Sequence, residues 1–179
     1  MKSLRRIYDR ILEAIAVALI VAVTAIVTMG FVYRWVGESL VWYDEVASIA
    51  LAWLTYYASA LAALRGAHIG FSGFVNSLPA RWRVAATVFS SAVTIFFFAL
   101  LAVMGTKVVQ ILKGDTLVSI PEVPLQLTQS VIPIASLLIV IAELIRLPDV
   151  VREAWRGPLL DHELKEAIEH GKAGKEIQP

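Results

Sequence analysis

The chain has 179 residues, of which 58% are hydrophobic and 17% charged, and its mean hydropathy of +0.72 excludes an ordinary soluble domain. A formal net charge of +1, with no basic patch interleaved with aromatic residues, argues against a nucleic-acid-binding protein. Cysteine is absent from the sequence, which excludes disulfides, iron–sulfur clusters and thiolate zinc sites.

Four apolar runs are long enough to cross a bilayer, which takes about 20 residues of helix. The runs are continuous rather than alternating, and hydrocarbon cannot satisfy open backbone groups, so we expect helices. The sequence predicts an all-α integral membrane protein with a four-helix membrane domain at 1–147 and a polar cytoplasmic tail at 148–179. The predicted transmembrane helices cover about 11–33, 46–64, 84–106 and 125–147.

The first span follows a basic amino end and ends in aromatic residues that are typical of an interfacial anchor. Glu13 lies in this span and has two interpretations. It could correspond to the functional glutamate of small multidrug exporters, or it could form an interfacial ion pair with Arg10 or Arg6. Its position close to the membrane edge favours the ion pair.

The second span carries a small or polar stripe at helical spacing along one face. In lipid no hydrophobic force holds helices together, so helices associate through close backbone approach over small residues. The stripe therefore predicts a face that packs on a partner, although an Ala-rich helix could also show such a stripe by composition alone. Its members are Ser48, Ala52, Thr55, Ser59, Ala62 and Gly66.

Between the second and third spans, residues 69–78 are apolar but too short to cross, and we expect a short interfacial segment there. The fourth span contains Pro133, which removes one helical hydrogen bond and predicts a bend near residues 127–129. Basic residues are concentrated at both ends of the chain and in the loop between the second and third spans. The positive-inside rule therefore predicts that both termini are cytoplasmic.

Chemistry inside the membrane is sparse. Glu143 is the charged residue that lies well inside a span, and Arg146 follows three residues later, so a structural ion pair is expected rather than a proton relay. The three histidines are His68, His162 and His170, and two of them lie in the tail, so neither haem nor a metal ion is expected. The sequence predicts no enzyme, no catalytic residue and no cofactor, and it favours a subunit over a complete transporter.

Several short motifs, in this order and spacing, resemble one family. The sequence WYDEVA at 42–47 opens the second helix, and AALRGAHI at 62–69 closes it. Leu-Pro follows at 78–79, and Ile-Pro pairs occur at 120–121 and 132–133. The chain is similar to the DctQ family, the small membrane subunits of tripartite ATP-independent periplasmic (TRAP) transporters. It departs from the family before the last helix, where Val123, Leu125 and Thr128 replace the usual aromatic residues.

The resemblance implies a small scaffold subunit in the bacterial inner membrane. With a large membrane subunit and a periplasmic substrate-binding protein, such a subunit serves import of an organic acid driven by an ion gradient, with sodium as the expected ion. Membrane lipids are further partners, and nucleic acid is not. Two alternatives stay open from the residues alone: an anchor or assembly subunit of another complex such as a respiratory enzyme, and a stand-alone small transporter.

The resemblance also assigns residues to surfaces. The stripe on the second helix is expected to face the large subunit. An outer anchor, or a possible contact with the binding protein, comprises Trp42, Asp44, Glu45, Asp115 and Glu122. The acids at the helix start could equally serve the helix dipole, and the two loop acids could simply be solvated. An inner anchor, or a contact with lipid phosphate, comprises Arg65, His68, Arg81 and Arg83.

Overall fold

The computed structural model describes residues 2–66, 75 and 77–156, and this part of the chain is built from helices, with one isolated β-bridge. Three of the helices, and the fourth and fifth together, are long and apolar enough to cross a membrane, which confirms the predicted all-α fold with four spans. The helices are α1 (Lys2–Val36), α2 (Tyr43–Arg65), α3 (Ala80–Ile111), α4 (Leu125–Gln129) and α5 (Val131–Arg156).

Each predicted span lies within these helices, and the helices run beyond it. The helix α5 continues through Pro148 to Arg156, so the first residues of the predicted tail are helical. Most of the predicted interfacial segment at 69–78, with His68 before it, lies outside the described residues, as does the tail beyond Arg156.

A tight hairpin joins α1 to α2. Gly37 has a φ of 91°, its N–H bonds to the carbonyl of Arg34, and the N–H of Glu38 bonds to the carbonyl of Tyr33, which is the Schellman pattern of a helix end. Gly30 is buried beneath the ring of Tyr43, and a Cβ added there would lie only 2.2 Å from the ring. The missing side chain thus allows the start of α2 to approach α1 closely.

The helices pack in a row rather than in a closed square. The helix α1 packs on α2, α2 on α5 and α5 on α3, so α2 and α5 lie in the middle. The hydroxyl of Tyr8 also links α1 to α5, since it donates to the carbonyl of Leu138 at 2.7 Å. Half of the buried core residues are alanines, and these small side chains let the helix backbones come close together. The buried core comprises Leu12, Ala60, Ala63, Leu64, Ile139 and Ala142.

The fourth span is broken between α4 and α5 at Ser130, one residue beyond the predicted bend. Pro133 has no N–H to donate to the carbonyl four residues before it, Gln129, which ends α4. Gly105 of α3 is buried against this break, and an added Cβ would lie 2.9 Å from the Ile132 side chain and 3.2 Å from the backbone nitrogen of Pro133. Glycine therefore permits the close crossing of α3 and α5.

Candidate functional site

The small stripe of α2 lies on the face that points away from the core. Ser48, Ala52 and Thr55 are exposed, and Ser59 and Ala62 are half-buried. The buried side of the same helix is formed by Ala60, Ala63 and Leu64. Because α1 and α5 pack on that side, the stripe remains available to another helix.

The hydroxyl groups on this face are satisfied within their own helix. Ser48 donates to the carbonyl of Asp44 at 2.8 Å, Thr55 to that of Leu51 at 2.9 Å, and Ser59 to that of Thr55 at 2.7 Å. A hydroxyl that already donates to a carbonyl of its own helix can be buried in a water-free interface without leaving an unsatisfied hydrogen-bond donor. The face therefore carries mainly small side chains whose hydroxyl groups are already hydrogen-bonded, as close helix packing in lipid requires.

Gly66, the last member of the predicted stripe, has a local role. It ends α2 with a φ of 74°, and its N–H points to the carbonyls of Ala62 and Ala63. A Cβ added there would meet the guanidinium of Arg146 at 3.0 Å. This glycine therefore closes the helix and makes room for a side chain of α5.

We call the end of the bundle that carries Asp44, Glu45, Asp115 and Glu122 the acidic end. There the carboxylate of Glu45 holds the loop between α3 and α4. It accepts the N–H of Val118 at 3.3 Å, the N–H of Ser119 at 2.8 Å and the Ser119 hydroxyl. The loop is thus fastened to the first turn of α2.

The same loop is folded on itself. Thr116 and Pro124 form an antiparallel bridge, and Leu117 beside it is buried. The acids Asp115 and Glu122 are exposed on this loop. Their carboxylates therefore lie on a loop that its own internal contacts hold in place.

Two tryptophans, one in α2 and one just before it, lie on the same side of the bundle as the acidic end. The indole N–H of Trp53 donates to the carbonyl of Thr128 in α4 at 2.9 Å. Trp42 precedes α2 and is half-buried, and the neighbouring Asp44 is exposed. Trp42, Asp44 and Glu45 thus lie together at the start of α2, as expected from their sequence order.

We call the opposite end, with Arg5, Arg65 and Arg146, the basic end. Arg65 binds both oxygens of Asp9, at 2.8 and 3.1 Å, and the carboxylate of Glu13 at 3.0 Å. The expected pairing of Glu13 with Arg10 or Arg6 is therefore wrong. Spacing within α1 alone favours Arg10 or Arg6, whereas the hairpin places the end of α2 beside Glu13.

Arg5 extends this connection to α5, because it pairs with Asp149 at 3.1 Å and donates to the carbonyl of Leu64 at 3.3 Å. Arg83 is buried and donates to the carbonyl of Ala154 at 2.8 Å, which fastens α3 to α5. Arg81 is exposed. The predicted inner arginines thus occupy different surroundings, and burial keeps Arg83 from lipid headgroups.

Glu143 is buried with 6% of its surface exposed. It accepts the hydroxyl of Ser91 on α3 at 2.7 Å, and Arg146 lies 3.7 Å from its second oxygen. The expected structural ion pair is confirmed, and Ser91 is a partner that sequence reasoning missed. A serine at the right depth on another span was the available signal, but it could not be placed without the packing of α3 on α5.

Within the ranges that the structure describes, no group of three or more histidines, cysteines and acids is positioned to hold a metal ion. Polar side chains instead connect helices at the two ends of the bundle, and α2 presents an exposed face of mainly small side chains. With four helices in its described part that are long and apolar enough to cross a membrane, the chain is a multi-pass helical membrane protein.

The chain matches the family model described as tripartite ATP-independent periplasmic transporters, DctQ component, over residues 23–153, and it belongs to this family. Among curated proteins it is similar to the sialic acid TRAP transporter small permease protein SiaQ of Vibrio cholerae serotype O1 (strain ATCC 39315 / El Tor Inaba N16961). The two are 29% identical over 86 residues, which is 48% of this chain and 50% of the relative. The chain is a small TRAP transporter subunit, and members of this family are transport subunits rather than enzymes.

Proposed function

We propose that this chain is the fixed scaffold subunit of a TRAP-type secondary transporter in the bacterial inner membrane. Its partners are a large membrane subunit and a periplasmic substrate-binding protein, and the complex imports an organic acid. An ion gradient, most simply of sodium, drives uptake. Membership of the DctQ family supports the class, and sialic acid in the relative's name is itself an organic acid.

The observation that carries the proposal is the exposed face of α2. Ser48, Ala52, Thr55 and Ser59 leave a shallow surface in the middle of the row, with every hydroxyl satisfied. Leu51 is also exposed on this face, whereas larger side chains lie on the exposed surfaces of α1 and α3, among them Phe31 and Phe96. A partner helix can approach the backbone of α2 at Ser48, Ala52 and Thr55 more closely than that of α1 or α3 at these phenylalanines.

A scaffold must keep its shape while its partner moves, and the side-chain contacts support this role. Arg65 joins α2 to α1, Arg5 joins α1 to α5, and Arg83 joins α3 to α5. The contacts are distributed over every long helix, so no single helix can shift without breaking one.

The orientation that we propose places the basic end in the cytoplasm, because Lys and Arg remain preferentially on that side. The acidic end then faces the periplasm, where the binding protein docks. The loop held by Glu45, with exposed Asp115 and Glu122, is the surface offered to it.

Co-purification tests the assembly. Ala52→Leu and Ser59→Leu add bulk to the exposed face of α2 and should reduce recovery of the large subunit, whereas Ala25→Leu on the exposed surface of α1 should not. Unchanged recovery with both α2 variants would contradict the proposed interface. Uptake by vesicles that hold all three proteins, with and without a sodium gradient, tests the coupling separately.

A further inference from the structure

A cleft at the basic end lies between the first turns of α1 and the carboxyl end of α2. It has a volume of about 510 Å³, opens widely to the surface, and is lined by Arg5, Arg6, Asp9 and Arg65. Its lining holds three guanidinium groups and one carboxylate, and two further carboxylates pair with these arginines, Glu13 with Arg65 and Asp149 with Arg5. An arginine that these carboxylates leave unpaired can bind an anion from outside the protein.

The internal contacts of the cleft leave one of its guanidinium groups unpaired. Arg65 is bound by both oxygens of Asp9 and by the carboxylate of Glu13. Arg5 is paired with Asp149 across the cleft wall. Arg6 is exposed, and its guanidinium has neither an ion pair nor a hydrogen bond with the described part of the chain.

The neighbouring residues of α1 indicate which anion fits. Arg10 lies one turn after Arg6 and is also exposed, and like charges at this spacing repel each other unless an anion lies between them. Ile7 and Ile11 are more than half exposed on the same two turns. Guanidinium groups match the phosphate of a phospholipid, and the exposed apolar surface beside them matches its acyl chains.

We propose that this cleft binds the phosphate of an anionic phospholipid, with Arg6 as the main contact and Arg5 and Arg65 as the walls. The lipid neutralises the repulsion between Arg6 and Arg10 and covers Ile7 and Ile11. It thereby fastens the amino end of α1 to the end of α2, where the helices leave the membrane.

The test uses the purified full chain in nanodiscs of phosphatidylcholine with and without phosphatidylglycerol, and native mass spectrometry counts the retained lipids. Phosphatidylglycerol should be retained in preference to phosphatidylcholine. Since one basic residue near an anionic surface changes affinity by about fivefold, Arg6→Gln should weaken retention by about that factor. The matched control Arg34→Gln removes an exposed arginine at the other end of α1 and should leave retention unchanged.

Equal retention of the two lipids would overturn the proposal, as would equal losses in the two variants, since the second result would reflect net charge alone. Excess inorganic phosphate separates a lipid from a free anion. It should fail to displace phosphatidylglycerol, and complete displacement would show a site for free phosphate instead.

Discussion

Glu45 binds Ser119, which lies 74 residues later in the chain, through both the backbone N–H and the side-chain hydroxyl. One carboxylate thus joins the first turn of α2 to the loop between α3 and α4. The contact gives that loop a fixed position at the end of the bundle proposed to meet the binding protein.

Glu45→Ala should release this loop, because Val118 and Ser119 lose the acceptor of their N–H groups. Hydrogen exchange of the peptide that spans these two amides should become faster in the variant. Asp44→Ala removes a neighbouring exposed carboxylate and serves as the control. Unchanged exchange in Glu45→Ala would show that the loop keeps its position without the carboxylate.

Arg65→Ala should weaken the contact of α2 with α1, since it removes the partner of Asp9 and Glu13. These groups are partly exposed, so solvent screening limits the coupling of Arg65 with Asp9 to about 0.5–1 kcal/mol. A double-mutant cycle with Asp9→Ala, measured by reversible denaturation in detergent, gives this value. Arg10→Ala, which changes an exposed arginine on α1, is the control. Additive effects of the two substitutions would contradict the predicted coupling.

Ser91→Ala should destabilise the protein by about 1.5–3 kcal/mol, the range for a hydrogen bond to a charged group. The variant leaves the buried carboxylate of Glu143 without the hydroxyl that now lies 2.7 Å away. Ser90→Ala, one position earlier and exposed, should change the free energy of unfolding little. Equal effects of the two substitutions would argue that the hydrogen bond contributes nothing beyond a general effect of serine on α3.

Gly105→Leu should separate α3 from α5 at the break of the fourth span. Even a Cβ at this position would lie 2.9 Å from Ile132, so the larger side chain forces the helices apart. Overpacking of this kind costs about 1–3 kcal/mol, and thermal unfolding in detergent should show the loss. Ala99→Leu on the exposed surface of α3 adds nearly the same bulk where nothing opposes it, and should be tolerated. Wild-type stability in Gly105→Leu would mean that the crossing is looser than the distances indicate.

The four spans follow from the sequence because bilayer thickness and backbone satisfaction leave few alternatives for apolar runs of this length. The pair of Glu143 and Arg146 follows as well, since residues three apart on a helix are neighbours. Both results depend on local spacing alone.

The remaining contacts depend on how helices meet. Glu13 binds Arg65 rather than a neighbour on α1, and the carboxylate of Glu45 binds a loop far along the chain. No local pattern marks Ser119 or Ser91 as a partner, because the row order of α1, α2, α5 and α3 is set by packing. The sequence pattern predicts the stripe on α2, but only the packed structure shows that the stripe is exposed.

The most direct test of the central claim is site-specific crosslinking from the exposed face of α2. The chain contains no cysteine, so a single introduced thiol is unambiguous. We expect Thr55→Cys, labelled with a short photoactivatable reagent in native membranes, to crosslink to the large TRAP membrane subunit, and Ala25→Cys on α1 to crosslink to lipid. Crosslinking of the large subunit from residue 25 but not from residue 55 would contradict the proposed interface.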